Sequence, residues 1–300
     1  MLLSVCAKIL SLHYINIKVM EKTLYVSDLD GTLLNSNSEV TEPSRILLNR
    51  LICEDGILFT VATARTPATV VRLMSGIETS LPYIVMTGAA MWKGGLVNRC
   101  YMKPGRVEYL LDVCRRYGIT PFLYIYDDRE SMLEVWHAVA MNSYERNFMR
   151  QRTGTPYKRF VISDSLPEDV VDRTMLLFAA APYGKVSAAY SEAQKRLPCS
   201  MTCYHDIFDP STGFFEVMAE GVSKAAAVKK LADDVGATRI VVFGDSPNDL
   251  SMRSVADLFV APENASKEVL AVADCVADNN NNDCVARWIE ADVAHRHARQ

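Results

Sequence analysis

Short runs of apolar, largely β-branched residues alternate along this chain with longer stretches whose apolar positions recur every three or four residues. The short runs are TLYVSD (23–28), ILFTVAT (57–63), PYIVMTG (82–88), RIVVFGD (239–245), DLFVAP (257–262) and CVAD (275–278). Helix-like segments lie between many of them, among them Ser44 to Cys53, Pro67 to Ser75 and Ser223 to Val235. Strands apolar on both faces and separated by helices predict an α/β fold, with a parallel sheet covered on both sides. Ligands of such sheets bind beyond the carboxyl ends of the strands. Asp28, Thr63, Thr87 and Asp245 all fall at those ends, so four separate strands deliver polar residues to one edge.

From about Ala89 to Glu220 the pattern changes. A helix-like RVEYLLDVCRRYG (106–118), a strand-like TPFLYIYDD (120–128) and a helix-like YGKVSAAYSEAQKRL (183–197) are followed by CSMTCYHDI and GFFEVMAE. The last two read as a hairpin around a Pro-Ser-Thr-Gly turn at 210–213. This predicts an α+β unit inserted into the parallel-sheet domain. There is no internal repeat, and the only low-complexity tract, NNNN at 279–282, reads as a polar loop.

Four motifs carry candidate chemistry. The first strand ends in Asp28-Leu29-Asp30-Gly31-Thr32. Residues two apart share a face at a strand end, and two carboxylates so placed raise a pKa or demand a cation between them. A hard, oxygen-loving ion such as Mg²⁺ could relieve the repulsion, leaving one carboxylate to attack phosphorus and its neighbour to handle protons. The second motif is Thr63, whose hydroxyl and following N–H groups could hold a phosphoryl oxygen. The third is Lys224, in the first turn of a helix that Ser223 could cap. A lysine is unexpected there on dipole grounds, and lysine and helix terminus together could form an anion site. The fourth, VVFGDSPNDLSM, brings Asp245, Asn248 and Asp249 after an apolar strand and could present a second metal carboxylate. Singly these are an acidic turn, a strand cap, an exposed lysine and ordinary helix-start chemistry. Their order along the chain carries the argument.

Asp-x-Asp-Gly-Thr-Leu-Leu, then Thr, then Lys, then Gly-Asp-x-x-Asn-Asp resembles the haloacid dehalogenase-like (HAD) hydrolase superfamily. The match is to its Cof-type phosphatases, which insert a large α/β cap after the third strand of a Rossmann-like core. The resemblance runs from residue 23 to about 290 and includes GVSKAAAV, ENAS (263–266) and NNNNDCVARWI (279–289). It implies a core of residues 20–88 and 221–300 and a substrate-specificity cap of 89–220. It further implies an Mg²⁺-dependent phosphatase acting on small phosphomonoesters, sugar phosphates by default, through an aspartyl-phosphate.

By position, Asp28 resembles the nucleophile and a metal ligand, and Asp30 the general acid/base with its backbone carbonyl on the metal. Thr63 and Lys224 resemble the phosphate-holding pair, and Asp245 the remaining metal ligand. Asp249 and Asn248 resemble the residues supporting lysine, metal shell and phosphate. Ala64, Thr87 and Gly88 complete the expected substrate-binding loops. The chain departs from the family at Ala64 (usually Gly), at Met86-Thr87-Gly88-Ala89 (often Ser-Asn-Gly-Ala), at Ala225 (Gly) and at Cys284 (Gly). The missing Asn at position 87 bears on the leaving group. Cap residues Arg146, Arg150, Arg152, Lys158, Tyr204 and His205 are candidate substrate contacts.

Other readings compete. Cys100 to Arg106 has the Cys-x5-Arg spacing of thiol phosphatases, but Pro104 lacks one of the N–H donors such a loop needs. Cys199, Cys203 and His205 could suggest zinc, yet read better as packing residues and a solvated histidine; His295 and His297 lie in a charged tail. A phosphate-ligand sensor on the same scaffold, or a phosphomutase, is the alternative function. Retention of both Asp28 and Asp30 favours the phosphatase.

Composition adds limits. A net charge of −4 gives no electrostatic reason to expect nucleic-acid or anionic-membrane binding, and no apolar run approaches the ~20 residues that span a bilayer. The eight cysteines form no C-x-x-C pair, which points to reduced thiols and a cytoplasmic protein; a monomer or weak homodimer is expected. Residues 1–19 are expected to be an extension upstream of the start at Met20, or else a short amphipathic helix.

Overall fold

The computed structural model describes residues 22–206 and 209–298; the expected extension at 1–19 lies outside them. In chain order the first elements are β1 (Thr23–Ser27), α1 (Glu42–Cys53), β2 (Leu58–Val61), α2 (Pro67–Leu73), β3 (Tyr83–Val85), β4 (Ala90–Trp92) and β5 (Leu96–Val97). There follow α3 (Pro104–Arg116), β6 (Phe122–Asp127), β7 (Met132–Ala138), α4 (Ser143–Arg152), β8 (Lys158–Ser163), α5 (Glu168–Asp172), β9 (Leu176–Pro182) and α6 (Tyr183–Gln194). The chain continues through β10 (Ser200–His205), β11 (Thr212–Met218), α7 (Lys224–Val235), β12 (Arg239–Phe243) and α8 (Leu250–Arg253). It closes with β13 (Leu258–Pro262), α9 (Lys267–Leu270), β14 (Cys275–Ala277) and α10 (Cys284–His297).

The predicted parallel sheet is present, in the order β14-β13-β12-β1-β2. Every residue of β1 is buried, as a continuous apolar run covered on both faces requires. Alternate residues feed two layers. Leu24, Val26 and Val242 pack with Val228 and Leu231 of α7, whereas Tyr25, Phe59 and Phe243 pack with Leu48 of α1 and Ile289 of α10. Helix starts follow the sequence signals: Thr41 accepts the Ser44 N–H ahead of α1 (3.1 Å), and Ser223 accepts that of Ala226 ahead of α7 (3.1 Å). Gly236, left-handed at φ 64°, ends α7. The chain leaves β1 toward β2 on one side and returns through β12, β13 and β14 on the other. The strand order therefore reverses at β1, where such sheets bind ligands.

PYIVMTG behaves differently from the expected parallel strand. β3 pairs antiparallel with β4, in a small β3-β4-β5 sheet, and among the described residues its pairing with the parallel sheet is limited to one parallel bridge, Ala62 to Ile84. The chain turns back at once after β3, so the nearest partner is its own return strand.

The middle of the chain forms a second sheet, β10-β11-β9-β6-β7-β8, antiparallel except where β7 meets β8. The hairpin of β10 and β11 is as the sequence predicts. β7, β8, β9 and α4 are additional to the elements read from sequence.

Candidate active site

β1 brings Asp28 to the sheet edge, where its N–H donates to the Phe243 carbonyl at 2.9 Å, locking it beside the end of β12. Lys224, the first residue of α7, reaches in from the capped helix start and is wholly buried. Its Nζ donates to Asp28 Oδ1 at 2.5 Å and to Asp249 Oδ1 at 2.7 Å. An exposed lysine, the ordinary expectation for that position, is therefore excluded. Asp249 Oδ2 in turn accepts the N–H groups of Asp245 and Ser246, each at 3.1 Å, and the Ser246 hydroxyl. Asp249 is fully used as a support.

Asp245 Oδ1 accepts the Thr32 hydroxyl at 3.0 Å. Gly31 is held at φ 76°, and a Cβ there would lie 2.4 Å from Asp245 Oδ2. Only glycine fits this close approach. Asn264 donates to the Gly31 carbonyl at 2.8 Å and accepts the Asn280 N–H at 2.9 Å, while the buried Asn280 side chain donates to the Leu34 carbonyl at 2.8 Å. The asparagine tract thus braces the loop after β1, a role its polar composition does not reveal.

Asp28, Asp245 and Asp249 offer carboxylate oxygens that all lie within 4.8 Å of one another. Burial pushes Asp28 up to about 7, with Lys224 opposing and Asp249 reinforcing the rise. Burial, then Asp249, raises Asp245 to about 6. Lys224 is held above the usual lysine range: burial opposes its charge, but the two carboxylates outweigh it. Among the described residues, Oδ2 of Asp28 and Oδ2 of Asp245 accept no hydrogen bond. Two uncommitted hard oxygens on a crowded acidic cluster suit a divalent cation.

Asp30 stands outside that cluster. Its carboxylate takes two hydrogen bonds from Arg65, Nε at 2.7 Å and Nη2 at 2.5 Å, and its side chain is half exposed. Arg65 has no role in the sequence reading; the only signal available is its position two residues past Thr63. Thr63 is buried, with its hydroxyl accepting the Arg65 N–H at 3.1 Å, and Thr87 donates its N–H to the Thr63 carbonyl at 3.0 Å. Thr87 has a left-handed backbone (φ 56°), and Gly88 abuts the Ser223 carbonyl at the start of α7. Ala64 is exposed beside this loop. Asn248 is exposed and turned toward Ser246, whose hydroxyl donates to it at 2.8 Å, so it touches neither lysine nor acid cluster.

The competing motifs lie apart. Arg106, in the first turn of α3, pairs with Glu220 at 2.9 Å, and burial raises the Cys100 thiol away from its reactive thiolate form. His205 stacks on Tyr183 with ring centroids 3.5 Å apart. Arg152, Lys158 and Tyr204 line one cavity together with Asp30; Arg146 and Arg150 instead bond to their own helix and its approach.

The haloacid dehalogenase-like hydrolase family model matches residues 25–289. The chain belongs to that family. Within it the chain is an enzyme, a Cof-type phosphatase. It is 25% identical over 273 residues to a 5-amino-6-(5-phospho-D-ribitylamino)uracil phosphatase of Bacillus subtilis, covering 89% of this chain and 94% of that protein. A putative phosphatase of Haemophilus influenzae is 23% identical over 282 residues, with 91% and 98% covered. The fold is similar to that of a haloacid dehalogenase-like hydrolase from Bacteroides thetaiotaomicron (TM-score 0.72, 23% identity, 90% of this chain and 99% of that one). It also resembles a HAD subclass IIB sugar phosphatase (TM-score 0.66, 19% identity, 90% and 98% covered). Among the described residues no helix is long and apolar enough to cross a membrane.

Proposed function

We propose that this phosphatase hydrolyses small phosphomonoesters, sugar phosphates foremost, by transient transfer of the phosphoryl group to Asp28. The observation that carries the reading is the fully buried Lys224 bridging Asp28 and Asp249 at the strand edge. A lysine placed there holds the attacking carboxylate in position and offsets charge on an incoming phosphate. The Asp28 carboxylate attacks phosphorus, and Asp30, freed from Arg65 and having taken a proton from solvent, gives that proton to the departing alkoxide. Asp30 then takes a proton from water, which attacks the aspartyl-phosphate, releasing phosphate and restoring Asp28. Thr63 and the N–H groups after it, with Lys224, hold the phosphoryl oxygens; Ala64, Thr87 and Gly88 border that loop region, and Asn248, turning from Ser246, would add a contact to the bound phosphate. Asp28, Asp245 and the Asp30 carbonyl would hold Mg²⁺, which when bound supplies charge neutralisation and positioning, most of what phosphoryl transfer asks of a protein.

In this reading residues 20–88 and 221–300 form the catalytic core and 89–220 the cap, and the protein works in the cytoplasm on small metabolites. The sugar-phosphate preference draws support from relatives whose names specify a phosphorylated ribityl compound and a sugar.

The test is turnover of p-nitrophenyl phosphate with Mg²⁺. Excess chelator should abolish it. Asp28→Asn should give neither product nor a phosphoenzyme by mass spectrometry; continued turnover, or a phosphate found on Cys100, would overturn the reading.

A further inference from the structure

A cavity of about 430 Å³ lies between the loop after β2 and the second sheet, with Asp30 and Arg65 on one wall and Arg152, Lys158, Tyr204 and Glu216 on the other. A leaving group passing Asp30 enters it. Lys158 is only 9% exposed, and among the described residues its ammonium has neither an ion pair nor a hydrogen bond. Its Nζ lies 5.7 Å from the Phe160 ring centroid and feels the charge of Arg152. Arg152 likewise forms no ion pair among the described residues, although the charge of Asp206 reaches it. Its guanidinium lies 4.1 Å from the Phe148 ring centroid and donates to Gln151 at 3.1 Å.

The neighbouring residue shows the contrast. Arg159, on the opposite face of β8, pairs with Asp127, Glu130 and Glu134. The fold therefore pairs the cation on one face of this strand and leaves Lys158, on the other, without an ion pair among the described residues, although Asp30 and Glu216 line the same cavity. Two adjacent cations in a shared cavity are costly without an anion. Burial, then Arg152, lowers Lys158 to about 8. Asp30, Ala64 and Arg65 line the cavity and Asp28, Asp245 and Lys224 do not, which puts it on the leaving-group side of the attacking carboxylate. Glu216, on the same wall, accepts the Tyr204 hydroxyl at 2.8 Å, and burial raises its pKa toward the neutral form, which does not repel an anion.

We infer that this cavity selects phosphomonoesters whose leaving group carries a second anion, a carboxylate or a second phosphate, gripped by Arg152 and Lys158. The inference rests on the phosphatase reading above. Hydrogen bonds to charged groups set the size of the effect at about tenfold or more per partner.

Paired substrates test it: glucose 6-phosphate against 6-phosphogluconate for the carboxylate, and fructose 6-phosphate against fructose 1,6-bisphosphate for the second phosphate. At least one doubly anionic member should exceed its partner in kcat/KM by about tenfold or more, and which one identifies the anion. Lys158→Met and Arg152→Gln should each erase most of that advantage, lowering kcat/KM for the doubly anionic member about tenfold more than for its singly anionic partner; Lys158→Arg should restore part of it. Equal kcat/KM within both pairs, or equal losses on the two members of a pair, would overturn the inference. Absence of any aryl-phosphate turnover would instead sink the phosphatase reading. Calorimetric binding to the full chain then decides the subsite alone: 6-phosphogluconate should bind about tenfold tighter than glucose 6-phosphate, and equal Kd values refute it.

Discussion

Among the described residues two lysines are buried, and they differ in what surrounds them. Lys224 has carboxylates at 2.5 and 2.7 Å, whereas Lys158 has none among the described residues. Removing a cation from the first setting leaves two buried acids facing each other; removing it from the second relieves a cost. Lys158→Met should therefore raise the melting temperature near neutral pH. Its lowered pKa, about 8 in the fold against ~10.4 unfolded, fixes the sign: the unfolded chain binds more protons between those values. The cost of the charge is full below about 8 and fades as pH rises toward the unfolded value, so the variant's advantage should shrink over that range. The charged or titratable groups sharing the cavity are Asp30, Arg65, Arg152, Glu216, Tyr124 and Tyr204. A variant no more stable than the parent at pH 7 would show that Lys158 already has its compensation. Asp30 differs again, because Arg65 holds it from two sides. Asp30→Asn should lower turnover of an alkyl phosphate by ~10²–10⁴-fold, the usual worth of general acid–base help. With an aryl phosphate, phosphorylation should suffer less than hydrolysis, so a phosphoenzyme should accumulate on Asp28. The carboxylates and Lys224 were legible in the sequence because strand ends and a helix cap give their addresses. The Arg65 fork and the Asn264–Asn280 brace were not, since pairing across distant segments leaves no spacing signal.

At the scale of elements, the site depends on how three turns meet: the loop after β1, the turn after β3 and the start of α7. Gly88 is the tightest joint. At φ 93°, a Cβ would lie 2.3 Å from the Ser223 carbonyl, which is backbone and cannot swing away. Gly88→Ala should push the turn off the start of α7 and displace Lys224. Activity should fall by at least an order of magnitude, on the estimate that even a 1 Å misplacement can cost ~10²-fold. The melting temperature should fall as well, and an alanine variant with parental kinetics would show that the contact is slack. The same scale explains which elements the sequence disclosed. Four of the five parallel strands, β13, β12, β1 and β2, are largely buried and read as unbroken apolar runs, whereas the edge strand β14 exposes Val276. β9 is Leu-Leu-Phe-Ala-Ala-Ala-Pro, and alanine disfavours strands. It is a strand because it lies between β11 and β6, a tertiary fact. α4 exposes most of its surface, burying only Glu145 and Phe148, so it has little apolar periodicity to find. Its capping box, Asn142 with Glu145, was its one sequence signal.

For the whole molecule, the proposed division of labour makes the acid cluster independent of the second sheet. Asp28, Asp245, Asp249 and Lys224 come from β1, α7 and the turn after β12, all within the parallel-sheet layers. The cavity cations Arg152 and Lys158 come from α4 and β8. Excising the cap should therefore remove leaving-group choice and spare divalent-cation binding. The structure shows where to cut. β4 and β5 pair with β3, and Met91 packs with Leu24 and Val26, so an excision beginning at 89 would strip a pairing partner and part of the core. Cys100 and Glu220 line one pocket with Gly88 and Gly221, so the two crossings of the chain run close together there. Joining Tyr101 to Glu220 through a few glycines keeps β4 and β5 in place. Part of the apolar layer is shared between the sheets, with Phe122 and Phe178 in the same cluster as Tyr25 and Phe59. The shortened protein should thus melt earlier and bind more hydrophobic dye than the parent. It should nevertheless bind Mg²⁺ by calorimetry and hydrolyse p-nitrophenyl phosphate, while losing any distinction between 6-phosphogluconate and glucose 6-phosphate. A folded excision product that binds no Mg²⁺ would place part of the cation site in the cap.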